Sequence, residues 1–135
     1  MGLTICIIED DMVSQFASVY SIEQFDKEAK VIMCNSAEEG LNLLFGLIQD
    51  KKPLPDALFL DLTMPGLNGW EFLERLKEIQ YKWVQMEIYI LSAFSNSKDR
   101  EKAKQHSMIQ GYYDKPLTKS ILKKIFQPEK IDQKG

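Results

Sequence analysis

Five short apolar runs alternate along the chain with segments of helical periodicity, and this alternation constrains the fold more than any other feature. The first run, residues 3–8, shows no strict polar alternation, which is typical of a strand buried on both faces. The further runs are residues 31–34, 57–61, 87–91 and 108–114. Because parallel strands need long crossover connections, the pattern predicts an α/β fold, a doubly wound five-stranded parallel sheet with helices on both faces.

The predicted helices differ in the apolar surface that they offer to a core. An apolar stripe at helical spacing occupies the first helix: Val13, Phe16, Ala17 and Tyr20. The segment 96–107 has helix caps and many charged residues, but Ala103 is its only good core candidate. A helix with so little to bury is expected to be loosely held.

Cap residues mark where other helices begin. Ser36 with Glu39, and Asn68 with Glu71, have the spacing of capping boxes. Thr118 is expected to cap the last helix. These positions place a helix after the second, third and fifth strands.

Composition excludes several classes of protein. Seventeen basic and 20 acidic residues among 135 give a formal charge of −3, so we expect no nucleic acid or anionic membrane as a partner. No apolar run approaches the ~20 residues that span a bilayer. Cys6 and Cys34 are expected to be free buried thiols, and with no secretory signal at the start we expect a cytoplasmic protein. We expect one domain over residues 1–127 and a polar tail at 128–135, without an attached output domain.

Polar residues whose side chains could take part in a reaction follow four of the strands. They are Glu9, Asp10, Asp61, Ser92 and Lys115. In open parallel sheets the ligand site lies beyond the carboxyl ends of the strands, so we expect these side chains to converge in one crevice. Asp61 ends its strand just before a turn at Pro65 and Gly66, which would hold it rigidly within reach of solvent, as a nucleophile or a metal ligand.

Three neighbouring carboxylates repel one another and need a counter-charge at neutral pH. An all-oxygen site that retains several waters suits Mg²⁺, and Lys115 supplies one further positive charge. A carboxylate nucleophile in such a site forms an acyl phosphate. The chemistry that we predict is therefore phosphorylation of Asp61.

Taken together in order, these motifs resemble the receiver domain of bacterial two-component response regulators. The resemblance rests on Glu9-Asp10, on the segment 61–66 with Gly69, on Ser92-Ala93 and on Lys115-Pro116. It extends from Leu3 to about Phe126 and implies a flavodoxin-like sheet with strand order 2-1-3-4-5. It also implies a phosphoprotein of phosphorelay signal transduction, with a histidine kinase or a histidine phosphotransfer protein as donor and a downstream protein as target.

The resemblance assigns a role to each residue of the site. It implies that Asp10, Asp61 and the backbone carbonyl of Thr63 hold Mg²⁺ directly, while Glu9 acts mainly through water. It further implies that Asp61 accepts the phosphoryl group. Self-catalysed phosphorylation and slow autodephosphorylation are then the only reactions expected, so the chain is not predicted to be an enzyme.

The same resemblance implies a switch. Lys115 would pair with the phosphoryl oxygens, Ser92 would turn inward to hydrogen-bond one of them, and Tyr112 would be the aromatic switch residue. Tyr113 should point to the opposite face of a regular strand. We expect phosphorylation to remodel the face formed by the segment 96–107, the fifth strand and the last helix. Whether it also drives formation of a homodimer is left open by the sequence.

Two other readings involve different classes of protein. A phosphatase of the dehalogenase type needs a second aspartate two residues after its nucleophile, where this chain has Thr63. A flavodoxin-type carrier of FMN would meet repulsion between the phosphate and Glu9, Asp10 and Asp11. The remaining alternative is a receiver-like module that binds proteins without being phosphorylated.

Four further side chains have less specific expected roles. His106 is expected to be solvated and Trp70 to pack locally at the start of its helix. Trp83 is expected to be buried in a connection. Phe94, close to the site, is predicted to restrict the approach of water and to prolong the phosphorylated state.

Overall fold

A computed structural model describes residues 2–79, 85–93 and 96–127. Within them, five strands alternate with five α-helices, and a 3-10 turn, Lys77–Ile79, follows the third helix. The strands are β1 (Thr4–Ile8), β2 (Lys30–Cys34), β3 (Ala57–Asp61), β4 (Glu87–Ser92) and β5 (Ile109–Asp114). The helices are α1 (Met12–Phe25), α2 (Ala37–Gln49), α3 (Gly69–Leu76), α4 (Ser97–Gln105) and α5 (Lys119–Phe126). The predictions for Trp83, Phe94 and the tail 128–135 lie outside the described residues.

All strand pairs are parallel, and the order across the sheet is β2-β1-β3-β4-β5. Both the predicted sheet and the order implied by the family resemblance are confirmed. The register aligns the carboxyl ends of the strands: Ile8 lies opposite Leu60, Asp61 opposite Leu91 and Ser92 opposite Asp114. The residues that follow these ends therefore meet at one edge of the sheet.

The central strands are buried on both faces. Every residue of β3 is buried, and successive residues belong to opposite layers of the core. Leu58 and Leu60 pack in the layer of α2 and α3, whereas Ala57 and Phe59 pack in the layer that includes side chains of α1 and α5. This arrangement leaves β3 little freedom and makes it a rigid support for Asp61.

The face that α1 buries differs from the predicted one. Ser14, Ser18 and Ile22 are its buried residues, while Val13, Phe16 and Tyr20 are 65–76% exposed. Serine side chains are small enough to let α1 lie close against α5, which it contacts. The apolar stripe in the sequence was therefore real, but it faces solvent.

Predicted caps are present at the helix starts. Asn68 and Glu71 form a reciprocal capping box on α3. Ser36 accepts a hydrogen bond from the Glu39 backbone N–H, although the Glu39 carboxylate accepts from the N–H of Asn35 rather than from that of Ser36. Thr118 caps α5 as expected.

The helix α4 buries one residue, Ala103, as the sequence predicted. Cys6 and Cys34 are free thiols and buried, also as predicted. None of the described helices is long and apolar enough to cross a bilayer.

Candidate functional site

Glycines in the turn after β3 bring the chain back against Asp61. Gly66 has a φ of +77°, which favours glycine. A Cβ at Gly69 would lie 2.7 Å from the Asp61 carbonyl oxygen and 2.8 Å from Leu62 Cα, so only glycine fits there. The N–H of Gly69 donates to the Leu62 carbonyl at 3.0 Å. The turn is thereby fastened to the end of β3, and α3 begins in direct contact with Asp61.

An acidic cluster lies at this edge of the sheet. Carboxylate oxygens of Glu9, Asp10 and Asp61 all lie within 4.8 Å of one another. Glu9 is 1% exposed and Asp61 4% exposed, while Asp10 is exposed. The backbone N–H of Thr63 donates to Asp61 Oδ1 at 3.2 Å. Two carboxylates are thus held inside the protein, and the third faces solvent.

Lys115 joins two of these carboxylates. Its Nζ donates to Glu9 Oε2 at 2.8 Å and to Asp61 Oδ2 at 2.9 Å. Its own backbone N–H donates to the carbonyl of Ser92 at 2.9 Å, which ties the loop after β5 to the end of β4. Residues at the ends of three strands, β1, β3 and β5, therefore form one ionic cluster, and the backbone carbonyl at the end of β4 is hydrogen-bonded to its lysine.

The charges of the cluster do not balance. Three carboxylates and one ammonium leave a formal charge of −2. Burial raises the pKa of Asp61 to about 6; Lys115 offsets part of this effect, and the neighbouring Glu9 adds to it. Burial alone would lower the pKa of Lys115, but its two carboxylate partners outweigh this and raise it. The lysine is thus charged at neutral pH, and the site still lacks positive charge.

A divalent cation would relieve this imbalance. Glu9 Oε1 is buried and has no hydrogen-bond partner among the described residues. Two oxygens on one Mg²⁺ lie up to about 4.2 Å apart, because each is about 2.1 Å from the ion. The three carboxylates approach that spacing, so the donor set fits Mg²⁺.

The predicted switch residues belong to the two strands beyond β3, Ser92 to β4 and Tyr112 to β5. Ser92 is buried at the end of β4. Tyr112 packs against the layer of α2 and α3, whereas Tyr113 packs against the other layer, 6.1 Å from Tyr89 between ring centroids. The expectation that the two tyrosines point to opposite faces is thus correct. The switching roles of Ser92 and Tyr112 stay predictions.

Sequence reasoning missed a surface beside the site. A cavity of about 350 Å³ is lined by Asp11, Val13, Ser14, Ala17, Ala93, Lys115 and Pro116. The exposed apolar residues Met12, Val13, Phe16 and Tyr20 of α1 continue from it. The sequence signal was the pair Ser14 and Ser18 at helical spacing. These small residues mark the side of α1 that packs closely, so the apolar side chains lie on the exposed side.

Gln15 was also missed. Its Nε2 donates to the backbone carbonyl of Glu9 at 2.6 Å and to Asn35 Oδ1 at 2.7 Å. The side chain thereby fixes the chain at the end of β1, where the first two acids of the cluster lie. No local pattern in the sequence indicated this long reach.

Two expectations about aromatic residues were wrong. Trp70 does not pack only locally, because its Nε1 donates to Asp99 Oδ1 of α4 at 3.4 Å. His106 is half-buried rather than solvated, with its ring 6.2 Å from that of Trp70 and its Nδ1 accepting from the N–H of Met108. Both contacts join segments distant in sequence, which local periodicity does not predict.

Known proteins share both the sequence and the fold. The LytT sensory transduction protein of Oceanobacillus iheyensis is 36% identical over 77 residues, which are 57% of this chain and 29% of that longer protein. A two-component response regulator from Cytophaga hutchinsonii superposes with a TM-score of 0.87 at 24% identity, over 95% of this chain and 97% of that one. A second, from Legionella pneumophila, gives 0.79 at 27% identity, over 95% and 98%. The profile of the response regulator receiver domain matches residues 5–127, so the chain belongs to this family.

Proposed function

We propose that this receiver domain of two-component signalling is phosphorylated on Asp61 in an Mg²⁺-dependent reaction and thereby alters a protein-binding face. The observation that carries the proposal is the ionic cluster itself. Asp61 lies 2.9 Å from Lys115 and within 4.8 Å of Glu9 and Asp10. A nucleophile, a fixed ammonium group and a set of oxygen ligands for a metal ion thus lie together at the carboxyl ends of the strands.

The bond changes follow from these groups. A carboxylate oxygen of Asp61 attacks the phosphorus of a donor phosphohistidine, an O–P bond forms, and the N–P bond breaks with its electron pair returning to the imidazole. Mg²⁺ held by Asp10, Asp61 and the Thr63 carbonyl, with Glu9 acting through water, would supply positive charge to the phosphoryl oxygens. The product is an acyl phosphate.

Lys115 supplies the protein's own compensation for the new charge. In the unmodified protein its ammonium holds Glu9 and Asp61 together. Phosphorylation moves negative charge outward from Asp61 onto the phosphoryl oxygens, and the ammonium can follow because the side chain is flexible. Preorganised charge of this kind is the main contribution of a protein to phosphoryl transfer. The chain undergoes acceptance and slow loss of the group and does not turn over an external substrate.

The donor docks, in this proposal, on the apolar face of α1. Phe16 and Tyr20 are 70% and 65% exposed, and the cavity beside Lys115 continues this face to the phosphorylation site. Large exposed apolar side chains mark contact surfaces, and a helix fits against a helix through such a stripe. A donor that delivers its phosphoryl group to Asp61 must lie over the carboxyl ends of the strands, so a helix of a histidine kinase or histidine phosphotransfer protein is the occupant.

Incubation with acetyl phosphate and Mg²⁺, followed by intact-mass measurement, tests the proposal. We expect the wild-type chain to gain one phosphoryl group, and Asp61→Asn or chelation of the metal to abolish the gain. An unchanged mass of the wild type, or equal labelling of Asp61→Asn, would contradict it. An unlabelled wild type that still binds its partners would instead favour a receiver-like module that acts without phosphorylation.

A further inference from the structure

The helix α4 is held mainly by polar side chains against two aromatic rings. Ala103 is its one buried residue. On one side, the Arg100 guanidinium lies 4.7 Å from the centroid of the Tyr112 ring of β5. On the other side, Asp99 and Lys102 of α4 contact Trp70 of α3. Few apolar contacts therefore resist displacement of α4, and it is held by these ring contacts together with an ion pair between Arg100 and Asp114 at 3.6 Å.

Trp70 makes three contacts with the α4 region. Its indole Nε1 donates to Asp99 Oδ1 at 3.4 Å. The ammonium of Lys102 lies 4.4 Å from the centroid of its ring, within the range of a cation–π interaction. The ring of His106 lies 6.2 Å away. Asn96 Nδ2 donates to the other oxygen of Asp99 at 2.9 Å, which orients the carboxylate towards the indole.

Trp70 is also joined to the phosphorylation site through the backbone. The preceding residue, Gly69, lies so close to Asp61 that no side chain fits between them. Its N–H is hydrogen-bonded to the Leu62 carbonyl. A movement of the turn that follows Asp61 is thus passed directly to the start of α3, where the indole is attached. Packed side chains, hydrogen bonds and rigid elements of this kind carry coupling between sites when the element at one end has two arrangements.

We propose that Trp70 is a latch that holds α4 in its resting position, and that phosphorylation of Asp61 opens it. The trigger rests on the proposed function, whereas the latch itself does not. Each contact of the indole is individually weak, so the latch biases α4 without locking it. Because coupling between two sites is reciprocal, a weaker latch should also favour phosphorylation.

Amide hydrogen exchange over residues 97–105 tests the latch without phosphorylation. We expect the amides of α4 to exchange about fivefold faster in Trp70→Leu, because this substitution removes every contact of the indole. In Lys102→Met, which removes one contact, we expect them to exchange about twofold faster. Exchange in β1 and β3 should not change. Phe45→Leu removes a partly exposed aromatic of α2 and is the matched control. If the amides of α4 exchange in both Trp70→Leu and Lys102→Met at the same rate as in the wild type, the proposal is overturned. If Trp70→Leu fails to fold, Lys102→Met alone decides the test.

Labelling by acetyl phosphate then tests the coupling. We expect Trp70→Leu and Lys102→Met to have a higher ratio of phosphorylated to unphosphorylated chain at steady state than the wild type, in the same order as their exchange rates, by up to about fivefold. Faster exchange in α4 with the wild-type extent of labelling would overturn the role of Trp70 in the switch. If the wild type itself is not labelled, the proposed function fails, while the exchange experiment still decides whether Trp70 holds α4.

Discussion

The two sides of the proposed phosphorylation site are built in opposite ways. On the side of β1 and β3, Glu9 and Asp61 are almost completely buried and paired with Lys115. On the side of α4, a single residue, Ala103, is buried in the helix, and charged side chains lie against aromatic rings. One side is rigid, and the other has few buried contacts that would oppose a second position.

This difference explains how a small event at Asp61 could have a large effect. In the proposed function, a rigid site does not relax around the phosphoryl group on Asp61, so the strain passes to the part that moves most easily. A bias of about 1–3 kcal/mol is typical of such coupling, which is comparable to a few weak polar contacts.

Gly69→Ala should destabilise the protein most. The new methyl group would meet backbone atoms at 2.7–2.8 Å, and backbone on the buried side cannot move away, so we expect a loss of about 2–3 kcal/mol. Urea denaturation measures this change. Gly46→Ala in α2 is the control, because a Cβ there meets nothing within 4 Å and should raise the free energy of unfolding by about 0.5–1 kcal/mol. Equal effects of the two substitutions would show that the turn after β3 is not rigid.

Asp61→Asn should stabilise the metal-free protein. The pKa of Asp61 is raised to about 6 from 3.8, chiefly by burial, so the folded protein binds a proton more tightly than the unfolded chain and the ionised carboxylate is unfavourable above pH 6. After a discount for solvent screening, we expect a gain of about 1–2 kcal/mol at pH 7.5. The gain should shrink as the pH falls towards 5.

Thermal or urea unfolding of both chains in the presence of a chelator gives the difference. Asp10→Asn removes an exposed carboxylate of the same cluster and should have a smaller effect. A loss of stability in Asp61→Asn would mean that the ion pair with Lys115 outweighs burial, contrary to the charge excess described for the site.

The rigid side is also the one that could be predicted from the sequence. The continuous apolar run 57–61 identifies a strand buried on both faces, and the parallel order then brings Glu9 and Lys115 to Asp61 whatever the details of the helices. Helix caps such as Asn68 depend on residues close in sequence, so they too could be predicted from the sequence.

Long-range contacts of surface helices were not accessible in this way. The spacing of Val13, Phe16 and Tyr20 shows that α1 has an apolar face, but only its neighbours decide whether that face or the one with Ser18 is buried. The reach of Trp70 to α4 likewise depends on how two helices lie against each other, which no local pattern contains.

The smallest expected effect concerns His106, at the end of α4. Burial lowers its pKa from 6.5; Lys77 and Lys102 lower it further, and Glu74 opposes them. As the pH falls below 6.5, the unfolded chain therefore takes up the proton first, and stability is lost on the side of α4. The buried Asp61 has the opposite sign, since acid stabilises its folded form.

Comparison with His106→Gln isolates the effect of protonating His106 on stability. Glutamine can still accept the hydrogen bond from the Met108 N–H, but it does not titrate. As the pH falls from 7.5 to 5.5, we expect the Tm of the wild type to fall relative to that of His106→Gln, and the protection factors of amides over residues 97–105 to fall in the wild type alone. A constant difference in Tm across this range would show that the imidazole is not desolvated beside Trp70. Acid would then distinguish the two sides of the molecule only through Asp61, and α4 would be more loosely attached than its contacts indicate.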